Sequence, residues 1–220
     1  MARFLAVCLC AGIVWIGFSS AAYSARFEEA VAYQRITPEQ PTSTKGKVEV
    51  VELFWYGCPH CHRFESFIDR WLKTKSDKIA FVRMPAVLQE PWEIHARAFY
   101  TAEALGVIEK IHPALFTAIH AHKRKLDTDE TLEAFFVEQG VTSEVFRKTF
   151  RSFGVDAKVR HAREMGKRYG IGGTPAVIIN GKFRTDGQIC KCGYAELLEL
   201  VDEVAAKELQ NQVSLTTSER

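Results

Sequence analysis

Apolar positions along the chain follow two different periods. Val48 to Tyr56 (VEVVELFWY) is almost continuously apolar and rich in β-branched and aromatic residues, which predicts a buried strand closed by Gly57. Phe64, Phe67, Ile68, Trp71 and Leu72 then recur at helical spacing. Pro59 fits the first turn of that helix, where a missing N–H costs nothing. Ile79 to Met84 reads as another strand, closed by Pro85. A short strand is also expected within residues 26–36, ending near Tyr33 to Ile36, ahead of a loop marked by Pro38, Pro41 and Gly46.

From Trp92 to about Tyr169 the pattern is helical throughout. Ala98, Ala102 and Leu105 form one stripe that stops at Gly106. A shorter helix is expected from Pro113 to His122. Asp127 and Glu130 resemble a capping box before Leu132, Phe135 and Phe136, and Gly140 closes that helix. Thr142 caps the next, which carries Val145, Phe146 and Phe150. Val155, Val159, Ala162, Met165 and Tyr169 mark a long helix before Gly170. Strand character returns at Ala176 to Asn180, and Asn180-Gly181 signals a hairpin into Lys182-Phe183-Arg184. Leu197, Leu198, Val201, Val204 and Ala205 form the last amphipathic stripe, and the polar tail from Gln210 is expected to fray. Short strands with interposed helices predict an α/β sandwich around a mixed sheet, with the helical block as a second module.

Composition narrows the class. The chain has 220 residues, 47% of them apolar and 25% charged, as in folded globular proteins. Lys plus Arg number 29 against 27 Asp plus Glu, a balance that argues against nucleic acid as a partner. No second long apolar run follows the first, which excludes a polytopic membrane protein. That first run, Phe4 to Phe18, follows Arg3 and gives way to small residues, the pattern of a secretory signal peptide over residues 1–24. Cleavage is expected before Ala25, with Ser20-Ala21-Ala22 as the competing site and an uncleaved anchor as the alternative. Cys8 and Cys10 leave with the signal, so four of six cysteines remain: Cys58, Cys61, Cys190 and Cys192. Four are too few for a disulfide scaffold, and their close pairing suggests chemistry in an oxidising compartment.

Cys58-Pro59-His60-Cys61 opens a helix directly after a buried strand, which is a redox geometry. The first sulfur meets free N–H groups and the positive end of the helix dipole. Both favour thiolate over thiol, and His60 adds a donor or a positive charge. Stabilising the thiolate stabilises the reduced form and makes the disulfide a stronger oxidant. Cys58 is therefore assigned as the sulfur that forms mixed disulfides, and Cys61 as the resolving sulfur.

The CPHC motif, Gly-Gly-Thr-Pro at 172–175 and the helical block between them resemble the DsbA family of thiol:disulfide oxidoreductases, from about Phe27 to Leu209. The resemblance implies a thioredoxin-like fold with an inserted helical domain. The thioredoxin-like part would take residues 25–90 and 163–212, the insertion 91–162, and a flexible tail 213–220. It implies that Pro175 is a cis-proline facing the pair and that the Thr174-Pro175 loop binds substrate backbone by strand addition. Many members carry Val where Thr174 stands. Glu52 would be a buried acid assisting proton movement at the resolving sulfur, with a pKa raised by desolvation. Its competing reading is an edge carboxylate paired with a Lys. The substrates implied are reduced, unfolded exported proteins in the periplasm of a Gram-negative bacterium. The implied reoxidant is a DsbB-like quinone-linked membrane oxidase. No metal and no bound organic cofactor are expected, and the chain is expected to be a monomer.

Other readings compete for the same residues. A reductase or isomerase shares the motif, although no dimerisation domain of the isomerase kind is visible. Cys58 to His62 also fits C-x-x-C-H haem attachment, with His62 as axial ligand. The four cysteines could make a zinc site, although Cys190-Lys191-Cys192 lacks the usual C-x-x-C spacing. That second pair reads as a disulfide clip, an auxiliary redox pair or two free thiols. His95, His112 and His161 read as packing or surface residues, and His120 to Lys125 as a solvated helix end. Trp55 and Tyr56 border the site or fill the core.

Overall fold

In the computed structural model, residues 26–218 are described, and the predicted signal peptide lies outside them. Five strands form one sheet: β1 (Gln34–Arg35), β2 (Val48–Phe54), β3 (Ile79–Pro85), β4 (Ala176–Ile179) and β5 (Phe183–Thr185). Their order is β1-β5-β4-β2-β3. Only β2 and β3 run parallel; the other neighbours are antiparallel. The β2–β3 link is the crossover a parallel pair needs, and it carries helix α1 (Pro59–Trp71). Every residue of β2 is buried, because it has a strand on each side and a packed layer on each face.

Alternation along the strands sorts the core. Val48, Val50, Val177 and Ile179 face α1 and the last helix, α7 (Tyr194–Ser218), and pack with Phe64, Ile68 and Leu197. Val51, Leu53, Ala176 and Ile178 face the other way and pack with Met165 and Tyr169. Between β3 and β4 lie helices α2 (Glu93–Ala104), α3 (Ile108–His120), α4 (Asp129–Glu138), α5 (Ser143–Phe150) and α6 (Phe153–Arg168). Phe116, Phe135, Phe136, Phe146 and Phe150 fill their common core, and Phe54 joins it from the end of β2. Val155, Val159 and Ala162 of α6 belong to that helical core, while Met165 of the same helix belongs to the sheet. Among the described residues no helix is long and apolar enough to cross a membrane.

Several boundaries differ from expectation. β2 stops at Phe54 rather than Tyr56, because Trp55 begins the turn that the Cys58 N–H closes on the Trp55 carbonyl at 2.9 Å. Gly57 is required there, since a Cβ would lie 2.3 Å from the Trp55 ring. Helix α3 begins at Ile108, so Pro113 sits inside it. Pro113 is exposed, which leaves water to satisfy the carbonyl one turn back. The cap of α4 is Thr128 with Thr131, not Asp127 with Glu130; the Thr131 hydroxyl accepts the Thr128 N–H at 3.1 Å. The hairpin does use Asn180 and Gly181, at φ +54° and +66°. Helix α7 continues to Ser218 through the stretch expected to fray, whose residues include no helix breaker.

Candidate active site

Cys58 is the N-cap of α1, in extended backbone, with Pro59 and His60 in the first turn. Its Sγ accepts the Cys61 N–H at 3.3 Å, one of the donors a helix start leaves open. As a neutral thiol it donates to the Thr174 carbonyl at 3.3 Å, which places the Thr174-Pro175 loop directly against it. The Thr174–Pro175 bond is cis. Cys58 and Cys61 are both free and buried, Cys61 completely.

The two sulfurs are pushed in opposite directions. Cys58 is lowered from the ordinary thiol range to about 5, first by a hydrogen bond from the Cys61 thiol. Burial opposes this, and the Thr174 side chain and the Cys61 and His60 backbone add to it. Cys61 is raised, chiefly by burial and then by the Cys58 sulfur beside it. At pH 7 a group of pKa about 5 is about 99% ionised, so Cys58 is a thiolate and Cys61 a thiol. This asymmetry suits thiol–disulfide exchange: one good leaving sulfur and one that must be protonated when it leaves.

Glu52 is completely buried in β2, between Val50 and Phe54 on the face that α1 covers. Because β2 lies between β4 and β3, the edge reading fails. Its partner is Arg83, directly opposite on β3, with Nε 3.3 Å from Glu52 Oε2. Burial raises its pKa well above the ordinary carboxylate value, the Glu65 charge raises it further, and Arg83 lowers it. Glu49, in the same strand, is by contrast met by three donors from Ser43 and Thr44.

The sequence did not reveal what continues from Arg83. Its Nη2 lies 2.9 Å from Glu65 on α1, and Glu65 Oε1 lies 3.3 Å from His112 Nε2 on α3. His112 Nδ1 meets the Tyr56 hydroxyl at 2.8 Å. This buried polar chain joins the sheet to the helical block along a cleft of about 920 Å3. Two signals were available: an Arg in the apolar strand IAFVRMP, and Glu65 one turn after Cys61 on the packed side of α1.

Tyr56 is core, while Trp55 is partly buried and stacks on Trp92 at 4.3 Å. His95 and His112 are buried packing residues, and His161 is exposed. His62 stacks on His120 at 4.8 Å, and His120 Nε2 donates to the Tyr56 carbonyl at 2.8 Å. Cys190 and Cys192 are joined in a disulfide, so these sulfurs are not available to a four-thiolate zinc site. Beside Cys58 a groove of about 500 Å3 is bounded by His60, Thr174, Pro175, Cys192 and Tyr194.

A DSBA-like thioredoxin domain matches residues 49–190, which contain the CPHC motif, the Thr-Pro loop and the whole helical block. The chain belongs to the DsbA family. The thiol:disulfide interchange protein DsbA of Pseudomonas syringae pv. tomato is 38% identical over 182 residues, covering 82% of this chain and 84% of the relative. That of Azotobacter vinelandii is 40% identical over 154 residues, covering 70% and 72%. The crystal structure of Pseudomonas aeruginosa DsbA superposes with a TM-score of 0.79 at 36% identity, covering 84% of this chain and 96% of that one. DsbA membership makes the chain a thiol:disulfide oxidoreductase on the thioredoxin-like fold expected from its sequence.

Proposed function

We propose that this chain donates the Cys58–Cys61 disulfide to reduced, unfolded proteins exported to the periplasm. The observation that carries the reading is Cys58 at a helix N-cap, depressed to about 5 beside the Thr174-Pro175 loop. In the oxidised protein a substrate thiolate attacks Cys58 Sγ, and the Cys61 sulfur leaves with the electron pair of the broken bond. Cys61 needs a proton at that moment because burial disfavours its anion. Glu52, whose pKa burial raises, assists that transfer. A second substrate thiolate attacks the substrate sulfur of the mixed disulfide and releases Cys58 as thiolate. Two substrate thiols are thereby oxidised to a disulfide and the enzyme pair is reduced.

His60 and Pro59 shape the first turn around Cys58, and Thr174-Pro175 offers backbone to the substrate in the adjoining groove. A DsbB-like quinone-linked membrane oxidase restores the enzyme disulfide. Residues 1–24 act as a cleaved export signal. Residues 25–90 and 163–212 form the catalytic module, 91–162 the insertion, and the protein works as a monomer. The shared core positions of α6 support a boundary near 162.

The test is oxidation of a reduced, unfolded substrate by stoichiometric oxidised protein, coupled to a redox titration of the pair. Rapid transfer that Cys58→Ser abolishes is expected. A pair that stays oxidised in the presence of excess substrate thiol would overturn the proposal.

A further inference from the structure

The loop 186–193 runs from β5 to α7 beside the active-site groove. Asp186 Oδ1 accepts the N–H groups of Gln188 and Ile189, each at 2.8 Å, and its carbonyl accepts the Cys190 N–H at 3.0 Å. The Cys190–Cys192 disulfide then closes the loop across Lys191, which sits at φ +53°. Both cysteines pack, with Tyr194, against the core beneath α1. The Gly193 carbonyl accepts the Leu197 N–H at 2.9 Å, so α7 starts directly at this clip.

Tyr194 is the first residue of α7. Its ring lies against Phe64 and Phe67 of α1, at 5.1 and 5.4 Å between centroids. Its hydroxyl lies 3.2 Å from the His60 carbonyl oxygen and 3.4 Å from His60 Nδ1. Arg63 Nη2 already donates to that Nδ1 at 2.9 Å, and an arginine can only donate. The tyrosine proton therefore has the His60 carbonyl as its open acceptor. That carbonyl and the Cys61 N–H are the two ends of one peptide group, and the Cys61 N–H donates to Cys58 Sγ. A donor placed on a carbonyl polarises the amide and strengthens its N–H.

We propose that Tyr194 is a positioning residue for the redox pair, held by the Cys190–Cys192 clip and acting on Cys58 through the His60–Cys61 peptide. The inference rests on Cys58 as the exchanging sulfur and adds a control placed far along the chain. Opening the clip leaves Gly187 and Gly193 as free joints on either side of the cysteines and releases the tyrosine.

The test is the pH dependence of iodoacetamide alkylation at Cys58, read by mass on the Cys58 peptide, in protein whose Cys58–Cys61 pair alone has been reduced. Cooperative polarisation adds about 10–30% to a charge-assisted hydrogen bond, so Tyr194→Phe should raise the apparent pKa of Cys58 by about 0.1–0.7 unit without lowering Tm. Cys190→Ser/Cys192→Ser should raise it by a similar amount, and adding Tyr194→Phe to that pair should change nothing more. A wild type that titrates like an ordinary thiol overturns the exchange role itself. A depressed wild type with an identical Tyr194→Phe overturns only the role of Tyr194. A shift in Tyr194→Phe with none in the serine pair overturns the clip.

Discussion

Acidification should remove from the reduced protein a stabilisation that the oxidised protein never had. Cys58 ionises at about 5 in the folded reduced state, against 9.0 for an ordinary thiol. The folded value is the lower one, so this contribution is complete above about pH 9 and fades as pH falls toward 5. Each unit in that window is worth about 1.4 kcal/mol, so at pH 7 about 3 kcal/mol remains, and below pH 5 essentially none. Cys58 is only 6% exposed, so water screens the effect little. In the disulfide form the sulfur does not titrate. The stability of reduced minus oxidised protein should therefore shrink by about 3 kcal/mol between pH 7 and pH 4. For a guanidinium m-value near ~5 kcal/mol/M, the two midpoints should approach each other by about 0.5 M. Equilibrium unfolding of both forms at both pH values measures it. Cys58→Ser, under reducing conditions, should follow the pH dependence of the oxidised protein. A gap that changes by less than about 0.5 kcal/mol would rule out this ionisation as the driving force proposed for donating the disulfide.

Three further outcomes follow from the buried polar chain. Glu52→Gln should slow formation of the mixed disulfide, the step in which Cys61 leaves, by about 100-fold in stopped-flow exchange and flatten its pH profile, the loss expected of a positioned proton carrier; equal rates across pH would remove that role. Relative to wild type, the same variant should gain stability in urea unfolding on going from pH 4 to pH 8, because a carboxyl whose folded pKa is raised contributes fully only below its unfolded value and loses that contribution as pH climbs. His112→Leu strips partners from Glu65 and the Tyr56 hydroxyl, both buried or nearly so, and should cost about 2 kcal/mol in urea unfolding; a change under ~0.5 kcal/mol would mean those groups find water instead.

What could be read from the sequence was whatever is written in local order. The buried strand at Val48, the helix opened by Pro59, the Asn180-Gly181 hairpin and the stripe of α6 are each set by neighbours a few residues apart. The redox pair was legible for the same reason, since both sulfurs and the helix start that polarises one of them lie within four positions. Pro113 inside α3 and the Thr128 cap were missed because their tolerance depends on exposure and on a hydroxyl reaching its neighbour's N–H. The chain from Glu52 through Arg83, Glu65 and His112 to Tyr56 was invisible because its links come from β2, β3, α1, α3 and the turn before α1, and only the parallel register sets Arg83 opposite Glu52. Tyr194 was hidden likewise: nothing in the order of residues says that a hydroxyl 134 positions after His60 will reach its carbonyl.

Helix α6 gives its first turns to the helical core and its last to the sheet, with no break between. Neither half can melt while the other keeps its apolar lining dry, so unfolding should proceed as a single cooperative event rather than as two. A thiol:disulfide oxidoreductase built this way avoids exposing, through partial opening, an apolar surface of its own to the chains it oxidises.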